Sequence, residues 1–210
     1  MKVLLINGSP RMQGNTNRAL EEAAAALEAE GVQTELVWIG NKEIRGCIAC
    51  GICGKKGDNR CVFDSDPCNE LIQKAAAADG LIVGSPVYYA GAAGSLIALL
   101  DRMFYAGGSL LRFKPAAGVA VARRAGAIEA ADQINKYFQI NSMPVVGSSY
   151  WNIIFGRTPG EVEGDGEGLH TMRTLGRNMA WMLRCIAAGQ EAGVDRPLHE
   201  PGVRTNFIGD

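Results

Sequence analysis

Leu4-Leu5-Ile6-Asn7-Gly8-Ser9-Pro10-Arg11-Met12-Gln13-Gly14-Asn15-Thr16 reads as a buried strand that enters a Gly/Ser/Asn/Thr turn and continues as a helix. The glycines let the backbone come close to an anion. Ser9, Asn15 and Thr16 offer donors to phosphate oxygens, Arg11 adds a cation, and Gly14 opens the helix. That helix aims its first amides and its positive dipole end at the same point. No Lys-Ser/Thr pair follows Gly14, so this is not a Walker loop, and it lacks the G-x-G-x-x-G spacing of a dinucleotide turn. One terminal phosphate suits it better than a pyrophosphate. The plain alternative is a strand–helix turn that happens to be rich in glycine.

Outward from this stretch the chain alternates. Val3–Ile6, Glu35–Ile39, Gly80–Val83, Gly118–Ala122 and Met143–Ser148 are short, Val/Ile/Leu/Ala-rich runs bounded by Gly, Pro or Ser, the marks of strands buried on both faces. Between them, apolar residues recur at the helical period, through Ala19–Leu27, Leu96–Phe104, 127–141 and Leu169–Ile186. Strands alternating with helices predict right-handed βαβ crossovers and a doubly wound α/β fold. Five such strands favour the flavodoxin-like order 2-1-3-4-5. Residues 1–210 read as one domain, interrupted by an aperiodic loop at 40–66, with a flexible Gly-rich acidic loop at Gly160–Gly168 before the last helix and a two-proline tail at 190–210.

Composition excludes several classes. The chain has 210 residues, 47% hydrophobic and 20% charged, with a formal net charge of −1, which argues against nucleic acid or anionic lipid as a partner. No apolar run reaches the roughly 18 residues of a membrane span, and no signal-peptide core is visible, so a cytoplasmic protein with reduced thiols is expected. Neither histidine, His170 or His199, sits in a hydrolase motif. His170 is expected to be solvated at the head of the last helix.

Two further loops fall at the carboxyl edge of the sheet, where doubly wound folds bind ligands. Gly84-Ser85-Pro86-Val87-Tyr88-Tyr89 is stiffened by Pro86, and Tyr88 and Tyr89 could stack on a planar ring or simply cover the sheet end. Arg123-Arg124-Ala125-Gly126 ends the fourth strand at the same edge. Asp101-Arg102, in the helix between them, is expected to make a structural ion pair or helix-end contact.

Five of the six cysteines lie between positions 47 and 68. Cys47, Cys50, Cys53 and Cys61 form a C-x2-C-x2-C-x7-C run inside the aperiodic loop. Four thiolates on a Gly-containing loop can wrap a cubane, as in the bacterial ferredoxin run, although that run has a shorter last spacing and a following proline. A structural zinc site, a dithiol at Cys50 and Cys53, and bare thiols remain open alternatives. Cys68, at an expected helix start, is a substitute fourth ligand. Cys185 reads as a small core residue. A thiolate cluster beside a nucleotide cradle points to electron transfer.

The Gly8–Thr16 turn, with Ser85–Tyr88 and the downstream Asp101-Arg102, resembles the NADPH-dependent FMN reductase family of flavodoxin-like proteins over roughly residues 1–150. The cysteine run is similar to that of its iron–sulfur flavoprotein branch. The resemblance implies FMN, with its phosphate on Ser9–Thr16, its isoalloxazine against Pro86, Val87 and Tyr88, and the Arg123–Gly126 loop at the ring edge. It implies a 4Fe–4S cluster on Cys47, Cys50, Cys53 and Cys61, and an electron source in NAD(P)H or a reduced carrier. The rival readings are a cluster-free NAD(P)H-dependent FMN or quinone reductase and a flavodoxin-like carrier with no substrate of its own. Finally, the apolar stretch Tyr150–Phe155 is more than a monomer easily buries, which predicts a homodimer or homotetramer.

Overall fold

Val3, Leu4, Leu5 and Ile6 are all buried, because strand β1 (Lys2–Asn7) lies at the interior of a parallel sheet with helices on both faces. The computed structural model describes residues 1–198, 200, 202, 203 and 205. β1 pairs in parallel with β2 (Gln33–Trp38) on one side and β3 (Gly80–Tyr88) on the other, so that Leu4 lies between Glu35 and Leu81. β3 in turn pairs with β5 (Ala116–Ala122), and β5 with β6 (Ile153–Phe155). The two-residue β4 (Gly91–Ala92) folds back antiparallel on the end of β3. The order is β2-β1-β3-β5-β6, which is 2-1-3-4-5 once that hairpin strand is set aside, as the sequence predicts.

The period of the strands divides the core. Leu4, Ile6, Leu81 and Val83 face α3 (Cys68–Ala77), α4 (Gly94–Gly107) and α5 (Ala127–Ile140). Val3, Leu5, Ile82 and Val119 face α1 (Asn15–Ala29) and α6 (Gly166–Glu191). Each fully buried leucine in these layers is worth about 1.5–3 kcal/mol of transfer free energy. The short helix α2 (Ile52–Lys56) lies within the cysteine loop, which is otherwise irregular as expected. On β2, Glu35 accepts hydrogen bonds from Lys2 and Lys74, and these hold its carboxyl below the usual glutamate range.

Three expectations are corrected. Met143–Ser148 is not the fifth strand: Val145 makes only an isolated bridge to Ala116, and the chain then leaves the sheet before β6 completes the edge. Pro144 can accept but not donate in a ladder, so the edge is split into two short pieces. Tyr150–Phe155 therefore contains the last strand. Asn152, Ile153 and Ile154 are buried, whereas Tyr150, Trp151 and Phe155 stay exposed, the first two beside a groove of about 460 Å³ against α5.

Cys185 is exposed rather than part of the core; it lies two residues, about 200° of helix, from buried Leu183. Nor is the stretch before the last helix a plain loop. A 3-10 turn occupies Glu161–Gly164, and Asp165 caps α6 by accepting from the Gly168 amide at 2.9 Å. His170 is exposed as expected, α6 runs to Glu191, and the tail is exposed from Ala192 to Leu198; His199 and Pro201 lie outside the described residues.

Candidate functional site

The turn after β1 is held by Asn7, a buried residue that the sequence reading passed over. Its Nδ2 donates to the Met12 carbonyl and to Asn17 Oδ1, both at 3.2 Å, and its Oδ1 accepts the Ser9 amide at 3.0 Å. Ser9 Oγ accepts the Arg11 amide at 3.1 Å, and Trp38 Nε1 donates to the Ser9 carbonyl at 2.7 Å. Gly8 is required here, because a Cβ would meet Leu96 Cδ2 at 2.6 Å and the Gly84 carbonyl at 2.9 Å. Gly14 is the N-cap of α1. No side chain caps that helix and no acidic residue lies in its first turn, so its orphan amides and dipole are left for an anion.

Ser9, Arg11, Gly14, Asn15 and Thr16 line a cavity of about 210 Å³ with Pro86, Val87, Tyr88 and Arg123. Three segments distant in sequence thus meet at the carboxyl edge of the sheet. The remaining wall is Val121, Gly156 and Arg157. The last two escaped the sequence reading because the fifth strand was expected too early, which hid the loop that follows it.

Asn15 plays a different part from the one expected. Its Nδ2 donates to the Thr158 carbonyl at 2.9 Å and its Oδ1 accepts the Gly160 amide at 3.0 Å. It ties the loop after β6 to the start of α1, and a Cβ on Gly156 would come within 2.7 Å of it.

Tyr89, Arg124 and Gly126 do not line the cavity. Tyr89 and Ala90 form the two-residue turn between β3 and β4 with φ of 50° and 58°, the left-handed geometry that hairpin turns need and that non-glycine residues adopt at a cost of about 1 kcal/mol or more. Tyr89 is fully exposed at its tip. Gly126, at φ 83°, packs so closely on that turn that a Cβ would meet Ala90 Cα at 2.6 Å. Gly126 thus packs against the outside of that turn.

Cys47, Cys50, Cys53 and Cys61 line a second cavity, of about 130 Å³, walled by Ile48, Val62, Phe63, Tyr105 and Arg102. Left-handed residues Ala49, Gly51, Gly57 and Asn59 coil the loop around it. Asn69, buried on α3, closes the coil: its Oδ1 accepts the Cys61 amide at 2.7 Å, and its Nδ2 donates to the Cys61 and Phe63 carbonyls at 3.0 and 3.1 Å.

Arg102 reaches in from α4 with 1% of its side chain exposed. It pairs with Asp66, donates to the carbonyls of Arg45 (3.1 Å) and Phe63 (3.0 Å), and donates from Nε to Cys61 Sγ at 3.2 Å. Burial works against its charge, but the bonds to Asp66 and Cys61 outweigh it and hold its pKa above the ordinary arginine value. Asp101 instead accepts from Tyr137 Oη at 2.5 Å, so the adjacent pair serves two separate partners.

Cys68 is fully buried outside this cavity, and burial pushes its thiol up to about 12, which leaves Cys61 as the fourth lining thiol. Among the described residues no three His, Cys, Asp or Glu side chains are already drawn to metal-holding distance. The donor set nonetheless fits a thiolate-bound centre in kind: four thiols and no free carboxylate line one cavity with a single cation in its wall.

The model of the NADPH-dependent FMN reductase family matches residues 1–158. The chain belongs to that family. It is 38% identical over 194 residues to an iron-sulfur flavoprotein of Methanocaldococcus jannaschii, covering 89% of this chain and 99% of the relative. It is 30% identical over 195 residues to the iron-sulfur flavoprotein of Methanosarcina thermophila, covering 91% of this chain and all of that one. Among solved structures it is similar to RosB (TM-score 0.66, 19% identity, 100% of this chain and 92% of the other) and to a flavodoxin from the Archaea (TM-score 0.60, 16% identity, 88% and 99%). At those identities the likeness concerns the flavodoxin-like fold. The family is one of flavin oxidoreductases, and the chain is an oxidoreductase of this type.

Proposed function

We propose that this protein binds FMN at the 210 Å³ cavity and a 4Fe–4S cluster at the cysteine cavity, and moves electrons between NAD(P)H or a reduced carrier and an acceptor. The observation that carries the reading is the pairing of an uncapped helix N-terminus, ringed by the family's signature residues, with four thiols that share one cavity. FMN, when bound, supplies both hydride and single-electron chemistry, and the cluster supplies single-electron transfer alone.

The protein's share is positioning. The α1 amides, Ser9 Oγ and Thr16 hold the phosphate, and Arg11 and Arg157 neutralise it. The backbone at Val87 and Tyr88 and the side chain of Arg123 would hold the ring. Asn15 keeps the wall of the cavity shut. No side chain needs to act as nucleophile or proton donor.

The cavity is smaller than the roughly 300–1,000 Å³ of ordinary ligand pockets. It would therefore hold the phosphate end, with Tyr88 on its open side available to the ring. That open face, together with exposed Tyr150 and Trp151, supports a homodimer or homotetramer in which a second copy covers the flavin. We place the protein in the cytoplasm; no described helix is long and apolar enough to cross a membrane.

The test is protein prepared without air, its flavin released and identified, and iron and sulfide counted against FMN. FMN with about four irons per chain supports the reading, and FAD, or no flavin, defeats the cradle. A second reading, a cluster-free NAD(P)H-dependent FMN or quinone reductase, is favoured by the distances between the thiols, and it predicts FMN without iron after reconstitution.

A further inference from the structure

From Arg102 we infer a redox-tuning role: its hydrogen bond and charge, aimed at the Cys61 sulfur, raise the reduction potential of the centre held by the four cysteines. The inference rests on the cluster reading above. Four observations carry it. Arg102 is the only charged side chain, among the described residues, in the wall of the cysteine cavity. It is 1% exposed, so water does not screen it. Its Nε points at Cys61 Sγ at 3.2 Å, while the far end of the guanidinium is fixed by Asp66 and by the carbonyls of Arg45 and Phe63. Finally, the hydrogen bond of Cys53 Sγ is to the Tyr105 carbonyl, at 3.9 Å, where sulfur can only donate. One sulfur of the set is therefore singled out by a cation.

The physical consequence follows from charge. Adding an electron to a thiolate-bound iron centre raises its negative charge, and a fixed donor and cation at one sulfur stabilise the reduced form more than the oxidised form. Asp66 opposes this by neutralising part of the guanidinium charge. Arginine suits the place better than lysine, because its rigid fork serves the sulfur and the carboxylate at once. A purely structural clamp would hold the loop in shape and leave the potential where it was. Arg102 touches the ligand and not the transferred electron's source, so it is a positioning residue.

The test uses reconstituted holoprotein with FMN and cluster in place, titrated anaerobically with dithionite, which donates one electron to the cluster while no bond in the protein breaks. Iron and flavin are counted first. Arg102→Lys, which keeps a charge but loses the fork, should lower the reduced-to-oxidised ratio at a fixed potential about tenfold, equivalent to about 59 mV for one electron. Asp66→Asn should move it the opposite way. Opposite shifts at unchanged iron content support the inference. Unchanged midpoints in both variants overturn it and leave Arg102 a clamp. Should Arg102→Lys fail to hold iron, Asp66→Asn decides alone, an upward shift supporting the inference and none overturning it. Wild-type holoprotein without iron defeats the cluster reading itself, and the inference with it, before any titration.

Discussion

Between Asn7 and Asn17 most of the bonds that shape the phosphate turn come from neighbours in sequence: Asn7 serves Ser9, Met12 and Asn17, and Ser9 serves Arg11. Around the cysteines the opposite holds. The chain from 40 to 66 has one short helix of its own, and its shape is imposed by Arg102 from α4 and Asn69 from α3. The turn writes its own geometry, whereas the loop is given its geometry by residues that come later in the chain. A motif of the first kind can be read where it stands; one of the second kind shows its ligands and hides its scaffold.

The contrast can be broken outright at the thiols. Cys53→Ser should abolish or degrade the iron centre while FMN per chain is kept, since the two cavities are built from different segments; iron analysis beside a flavin count checks this, and joint loss would show the sites to be one unit. Next in size, Arg102→Ala leaves Asp66 buried without its cation and should cost about 3–5 kcal/mol. Urea unfolding measures it, and limited proteolysis should cut first within 40–66, with the phosphate turn still protected.

Asn15→Ala removes two hydrogen bonds to the loop after β6, together worth about 1–3 kcal/mol, and should weaken FMN about tenfold or more. Flavin release by dilution tests it, and undiminished affinity would mean that the loop does not close the cavity.

The smallest effect tests neither cavity and serves as the control. Glu35 has a depressed folded pKa, through its bonds to Lys2 and Lys74. Its stabilisation is present above the unfolded value, about 4.3, and is lost as pH falls through the lower folded value. Glu35→Gln should cost about 0.2–1 kcal/mol at pH 7, by urea midpoint, with no change in iron or FMN.

How much was legible follows the same division. Ser9–Thr16 and Pro86–Tyr88 can be read where they stand because they supply residues that line the 210 Å³ cavity. Asn15 lines the cavity but also has a bracing task that its local sequence hides, since its partners, Thr158 and Gly160, are more than a hundred positions away. Arg157 was missed because Met143–Ser148 has the composition of a strand, while the pairing that matters passes to Ile153–Phe155. The cysteine spacing exposed the thiols, and Asp101-Arg102 read as part of a structural ion pair or helix-end contact, which Arg102 makes. Only the packing of α4 shows that its partner is Asp66 and that it also reaches Cys61.

The tie from Asn15 to Thr158 and Gly160 has a consequence for the order in which a ribosome delivers the parts. The residues that wall the cysteine cavity, 47 to 106, are all synthesised by mid-chain. The 210 Å³ cavity begins with Ser9, among the first residues made, yet its last wall is Gly156 and Arg157, and the bonds that shut it wait for residue 160. A nascent chain stopped short of that point presents the complete signature turn and no finished pocket, so this cavity closes late in the protein's synthesis although its most recognisable motif is the first to emerge.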